Sequence, residues 1–478
     1  MASATISSLG VGSGLDLQTL YTNLETAEKT KLTTITNQQT SYNAQLSAFS
    51  KLQSAMQTLN TATAALSKTD TWNATAVGST NTSFTATTAT GATVGSYTVQ
   101  VKSLAKAQVL TTASQASATS QLGATTGGTR TITIAQAGST TPLTVTLSDS
   151  DTSLNGIASA INKANGNVTA TVIKAKDGDY TLMLTSKTSG TANDMTVSVS
   201  GDSTLQNIIG YDSSTHTGVM NQQTASKNSQ VIINDITIER STNTITDALP
   251  GITLSLKNES TSSENLDITR AADTTQKAIT DWVTAYNALQ STITSVTKYI
   301  KVDAGKSQSA NNGALIGDST VRSVQSQLRG LLTEVQSGSY AILAQLGVTQ
   351  DTATGADGSL GNLKIDSTKL SKALTDNPEA VQEYFAGDGK ATGLATQMGT
   401  MLTNMLSTTA GKEGIIKNAT DGINTTLKTL DQRYDAMEAN IEATMARYKA
   451  QFTNLDTLMS KMNNTSTYLK QQFSSSSS

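Results

Sequence analysis

Few side chains in this 478-residue chain are of a kind and spacing that could do chemistry. The single histidine, His216, lies in a polar, turn-like stretch, and there is no cysteine. Disulfides and thiolate metal sites are therefore excluded, and a histidine metal site or catalytic triad has very little to draw on. Gly305-Lys306-Ser307 has the ending of a phosphate-binding loop. That motif also needs a glycine five residues before Gly305, where the chain has Ile300. The stretch from Asp351 to Gly358 has the composition of a calcium loop. It lacks oxygen side chains at the third and fifth positions and carries Asn362 where the bidentate acid belongs. Asp177 and Asp179 flank Gly178 between two strands, a place for turn-formers rather than for an acid–base pair. Trp72, at an element boundary, and Trp282, on a helical stripe, read as packing residues. No catalytic, cofactor-binding or metal-ligating residue emerges, no cofactor is expected, and the chain reads as a non-enzyme.

Composition narrows the field further. Net charge is −3, with no basic run dense enough for nucleic acid, and aromatics at 4% are too sparse for base-stacking platforms. Thr, Ser and Ala dominate, as in many extracellular bacterial surface proteins. No apolar run is long enough to span a membrane, so no membrane insertion is expected. The first basic residue is Lys29 and no apolar region precedes it, so a cleavable secretory signal is not expected. The protein is then cytosolic, or it leaves the cell by a route that needs no such signal.

With no chemistry to position, the long elements carry the reading. Ile423, Leu427, Leu430, Tyr434, Met437 and Ile441 recur every three or four residues, the period of an amphipathic helix. After one extra step at Met445 the stripe resumes with Tyr448, Phe452, Leu455, Met459 and Met462. From Asp421 to Phe473 this helix would run roughly 80 Å, and it needs partner helices to cover its stripe. Met445 is expected to mark a junction between a folded leg and an assembly-dependent foot. At the other end, residues 1–19 are small, polar and punctuated by Gly10, Gly12 and Gly14, and are expected to be mobile in a free monomer. A helical period begins at Leu20, loose at Leu24, Ala27 and Ile35, then regular from Tyr42 to Leu66. That segment is the best partner for the C-terminal stripe.

Between the ends, alternation replaces the helical period at Thr71-Trp72. Strands are expected around residues 83–87, 96–101, 130–134, 143–147, 168–173, 180–185, 195–199, 231–238 and 252–256, with a short helix over 151–165. Residues 103–128 read as a boundary or mobile loop, and the polar stretch after Val199 runs to Gln230 without an assigned element. Helices return at Ala271, with a stripe from Ile279 to Val296. A second, over 321–332, follows the capping residues Asp318-Ser319. A strand is expected over 360–365, a helix capped by Asp366, and another opened by Pro378 that ends near Phe385. A Gly/Thr/Met-rich passage then leads to the last helix. The fold class is α+β and multidomain: long terminal helices forming a coiled-coil or bundle leg, and an inserted, mostly antiparallel β-rich head of two subdomains.

These segments resemble a known family. Residues 6–17, from Ile6-Ser-Ser-Leu-Gly to Leu15-Asp-Leu17, look like the opening of bacterial flagellar filament cap proteins, the hook-associated protein 2 family. Leu154 to Asn165, with the following strands to Lys187, resembles a repeat module shared with flagellins. Ala248-Leu-Pro-Gly251 to Leu256, and Lys369-Leu370 to Val381, resemble the family's C-terminal region. The matches are spread over nearly the whole chain.

The resemblance implies export through the flagellar type III channel and assembly at the distal filament tip as a homo-oligomer, expected to be a pentamer. There it would retain exported flagellin and promote its folding and polymerisation. Flagellin, the hook–filament junction protein, an export chaperone before secretion and, in some members, host mucin are the implied partners. The implied division is 1–42, an N-terminal assembly segment; 43–71 with 271–440, a helical leg; 72–112 with 223–270, an inner β-rich head; 113–222, an outer α+β head; and 441–478, a C-terminal assembly helix and tail. The residues expected to make assembly contacts are Ile6, Leu9, Leu15, Leu17, Leu20, Leu24, Tyr448, Phe452, Leu455, Met459, Leu469 and Phe473. The alternatives are a flagellin-like or hook-associated structural subunit and a surface adhesin.

Overall fold

The computed structural model describes residues 9–11, 13–124, 128–355 and 358–475, the side chains of 474 and 475 excepted. The helices of these residues are, in chain order, α1 (Leu17–Leu66), α2 (Thr69–Trp72), α3 (Leu154–Lys163), α4 (Ser203–Ile209), α5 (Ala272–Thr297), α6 (Ser319–Thr333), α7 (Ser367–Asp376), α8 (Pro378–Ala386), α9 (Leu394–Leu406) and α10 (Ile415–Ser475). The chain divides into two compact units, residues 1–72 with 275–478 and residues 73–274.

The first unit is helical. Phe49, Leu52, Met56 and Leu59 of α1 share a buried core with Ile279, Trp282, Tyr286 and Leu289 of α5, and α6 to α9 with Ile416 and Ile423 of α10 add to it. Phe385 of α8 is its aromatic centre. Its ring stacks on Trp72 at 5.7 Å and meets Trp282 edge-on at 5.9 Å, so both tryptophans do pack. Local chemistry sets the helix starts. The Asp318 carboxylate accepts from the Val321 amide (3.0 Å), and Asp366 from Lys369 (3.1 Å). Pro378 opens α8, and Gly387, at φ +55°, closes it.

Sequence reading missed α9. Leu394, Met398, Leu402 and Met405 form a buried stripe within what composition marks only as a Gly/Thr/Met-rich passage, with Gly399 in its middle. In the folded chain Gly399 faces α1, where an added Cβ would just touch the Thr63 methyl, at 3.7 Å. The strand expected over 360–365 is shorter, Leu363–Ile365, and pairs with Val348–Gln350.

The second unit holds two β-rich cores, and every strand pair among its described residues is antiparallel. In the inner one, a five-stranded sheet has the order Thr75–Val77, Glu264–Arg270, Gly95–Ser103, Ser229–Ile233, Ile236–Arg240. A three-stranded sheet, Thr244–Leu249, Ile252–Leu256, Phe84–Thr88, shares its core through Phe84, Ile252 and Leu254, packed with Val99, Val231 and Leu266. The single strand expected over 231–238 is instead a hairpin. Asn234 and Asp235 both lie at positive φ (45° and 66°), the primed-turn conformation that these two residue types tolerate without glycine.

In the outer core, α3 and α4 pack with two sheets around Ile132, Ile157, Leu184 and Val197. Residues 103–128 are not merely a loop: Val109–Thr111 is a strand held between Asn221–Thr224 and Asp179–Ser186. The polar stretch after Val199 contains α4 and three short strands. Asp202 explains that helix, since its carboxylate caps the Leu205 amide (2.9 Å) and receives Arg130 Nε (2.5 Å). Arg130 is only 2% exposed and also donates to Asp149 and to the carbonyl of Ala124. Burial pushes the Asp202 carboxyl up, but the Leu205 amide, Arg130 and the Ala124 amide outweigh it and hold the group below its ordinary range.

Candidate assembly interface

Among the described residues, His216, the Gly305 turn and the Asp177–Asp179 hairpin turn lie in separate elements. His216 is exposed at φ +53° in a turn between two short strands. Gly305 is in a turn closed by the Lys306 amide on the Asp303 carbonyl (3.1 Å). Asp177 pairs with Lys174 (2.5 Å), and Asp179 accepts from the Ser114 hydroxyl, so both hold their hairpin turn. Among the described residues no cluster of His, Cys, Asp or Glu could hold a metal, and no helix is long and apolar enough to cross a membrane.

The terminal helices do come together. Helix α1 has 50 residues and α10 has 61, about 75 and 90 Å at the α-helical rise. Beyond the main core they bury a second, small cluster of Leu32, Ile441 and Met445, flanked by Tyr21, Leu24, Tyr434, Met437 and Tyr448. Between the two cores Gln39 Nε2 donates to Asp431 Oδ1 across the pair (2.7 Å). The partner expected for the C-terminal stripe, residues 20–66, is thus α1, which begins at Leu17. Met445 causes no break: α10 is continuous, and the extra step keeps Met445 buried beside Ile441. What changes past Tyr448 is cover. Phe452 and Met459 are half-buried, and Leu455, Leu458, Met462, Leu469 and finally Phe473, at 71%, are exposed.

The described part of the N-terminal segment is more ordered than its composition suggests. The Gly14 amide donates to the Gly10 carbonyl (2.9 Å), closing a turn, and the Ser13 amide donates to Asp456 Oδ1 of α10 (2.7 Å). Gly10 is at φ +98°, and a Cβ there would lie 2.1 Å from the Leu15 carbonyl oxygen, so the turn requires glycine. Asp16 then caps α1 through the Thr19 amide (3.1 Å), three residues earlier than the period suggested, and its bonds to Thr19 hold its carboxyl below the ordinary range. Of the apolar residues nearby, Leu15 and Leu20 are exposed, while Leu9 and Leu24 are half-buried. Leu17 departs from expectation: at 4% exposure it is already covered within one chain. Ile6 lies outside the described residues.

The geometry is that of a paired-helix stalk on whose far end Leu455, Leu458, Met462 and Leu469 are exposed. Three family models match the chain: the flagellar hook-associated protein 2 N-terminus over residues 13–108, the flagellin hook IN motif over 131–188, and the flagellar hook-associated protein 2 C-terminus over 226–464. The chain belongs to the flagellar hook-associated protein 2 family. It is 47% identical to flagellar hook-associated protein 2 of Escherichia coli K12 over 99% of both chains, and 43% identical to that of Salmonella typhimurium over 98% of both. The solved D1-D2-D3 domains of the Escherichia coli flagellar cap protein superpose with a TM-score of 0.65 at 43% identity, covering 79% of this chain and 99% of that one. The flagellin hook IN motif falls on two strands, α3 and two further strands of the outer core, the segment whose latter part resembled a flagellin module.

Proposed function

We infer that this chain is the structural cap at the distal end of a bacterial flagellar filament, where it retains exported flagellin and promotes its folding and polymerisation. The observation that carries this is similarity over 99% of the length to hook-associated protein 2, including both terminal helices. The role is mechanical, with no catalytic step. The copies form a ring, taken here as a pentamer. The leg comprises residues 43–71 and 271–440, the inner plate 72–112 and 223–270, and the outer plate 113–222. The crossing between plates is better drawn at the backbone bridge of Lys106 and Lys227, a few residues inside those inner-plate ranges, because Leu110 packs in the outer core and Val109–Thr111 pairs there with Asn221–Thr224.

Residues 1–42 and 441–478 are the assembly segments. Exposed Leu15, Leu20, Leu455, Leu469 and Phe473, with half-buried Leu9, Leu24, Tyr448, Phe452 and Met459, are the surfaces offered to flagellin and to the hook–filament junction protein. Ile6 is proposed as a further contact. Legs that meet inequivalent sites on a filament of different symmetry need contacts of low specificity, which an apolar stripe provides. An export chaperone would cover the same stripe before secretion, and host mucin would be met by the plate.

Deleting the gene should release monomeric flagellin into the medium, and antibody against the chain should decorate filament tips only. Labelling along the filament would favour a filament subunit and overturn the cap reading.

A further inference from the structure

The chain contains three Asn-Gly pairs, at 155–156, 165–166 and 312–313, and the fold treats them differently. At such a pair the glycine amide nitrogen can attack the asparagine carboxamide, provided that the nitrogen is free and the turn can bend. The Gly156 amide is held by the Ser153 hydroxyl (3.1 Å) inside the first turn of α3. The Gly313 amide donates to the Lys298 carbonyl (2.8 Å), and the Asn312 carboxamide oxygen receives the Ile300 amide (2.7 Å). The third pair has neither restraint. Asn165 is exposed at φ +49° just after α3, and neither its carboxamide nor the Gly166 amide has a hydrogen-bond partner among the described residues.

We propose that Asn165 is a site of spontaneous deamidation in the folded protein. The Gly166 nitrogen gives up its proton to base and attacks Asn165 Cγ. A C–N bond closes a succinimide, the bond from Cγ to Nδ2 breaks, and ammonia leaves. Water then opens either ring carbonyl, giving aspartate or isoaspartate, with no redox change. The product carries a new negative charge beside the C-terminus of α3, the end of a helix that disfavours anions. Isoaspartate also lengthens the backbone by a methylene. That insertion falls where Gly166 packs so closely on Leu143 that an added Cβ would lie 2.7 Å from it, and just before Asn167, whose carbonyl accepts the Lys187 amide (2.8 Å). Ageing at this one turn would therefore loosen the outer core.

The test is incubation of the full-length folded protein in mildly alkaline buffer, followed by peptide mapping with an isoaspartate readout, beside a sample held in denaturant. Asn165 should convert on the order of tenfold or more faster than Asn155 and Asn312 when folded, because freeing a bonded amide costs about that factor in population. The three should converge when unfolded. An intact Asn165, equal folded rates, or the same preference persisting in denaturant would overturn the proposal.

Discussion

Two residues show how strongly single side chains are tied into this molecule. Glu264 is held at about 2 by the neighbouring Ser83 and Thr82, whose two amides and the Thr82 hydroxyl donate to its carboxylate, against the opposing effect of desolvation. A carboxyl lowered in the folded state stabilises it above the unfolded value, near 4.5, and that contribution is lost as pH falls toward about 2. The variant Glu264→Gln should therefore melt lower than the parent at neutral pH, with the gap closing through this acid window. A gap independent of pH would show that the carboxylate charge is not what matters. Phe385, fully buried among Trp72, Trp282 and Tyr384, is the corresponding apolar case. Phe385→Ala should cost about 3–5 kcal/mol through lost burial and the cavity left behind. Denaturant unfolding followed by helical circular dichroism measures this, and a loss below about 1 kcal/mol would contradict the assignment of this ring to the centre of the leg.

At the scale of elements, the pairing of α1 with α10 is the feature on which the proposed function rests. Met445→Asp places a charge in the small apolar cluster with Leu32 and Ile441. Amide hydrogen exchange should accelerate in α1 around Leu24 to Leu32 and in α10 beyond Met437, while the core around Phe49 and Tyr286 stays protected. Uniform exchange across both helices would mean that the distal pair is not a separate packed segment. This pairing was legible in the sequence because a stripe of three- and four-residue steps admits little else. Elements whose signal is tertiary were not legible. Helix α9 hides behind Gly399, α4 depends on Asp202 meeting an arginine 72 residues away, and the Asn234-Asp235 hairpin uses left-handed residues that carry no glycine marker. The N-terminal turn was missed for the same reason, since Ser13 gains its partner Asp456 only once the two chain ends are brought together.

For the whole molecule, the division of labour is clear in where the apolar surface goes. The β-rich unit buries its apolar residues in two cores of its own, and the helical unit buries most of its stripe, while Leu455, Leu458, Met462 and Leu469 of α10 are exposed. We propose that the work of capping lies in the assembly segments, because Leu455, Leu458, Met462 and Leu469 are exposed on a chain that matches hook-associated protein 2 over 99% of its length. The first twenty residues test this most directly, because their removal takes away Leu15, Leu17 and the Ser13 contact but nothing of residues 73–274. A strain lacking the native gene should be supplied with the chain beginning at residue 21, and flagellin in the medium should be measured beside filament length. The account predicts a secreted chain with an intact β-rich head by circular dichroism, short or absent filaments, and monomeric flagellin shed into the medium. Filaments of normal length with no shed flagellin would contradict it.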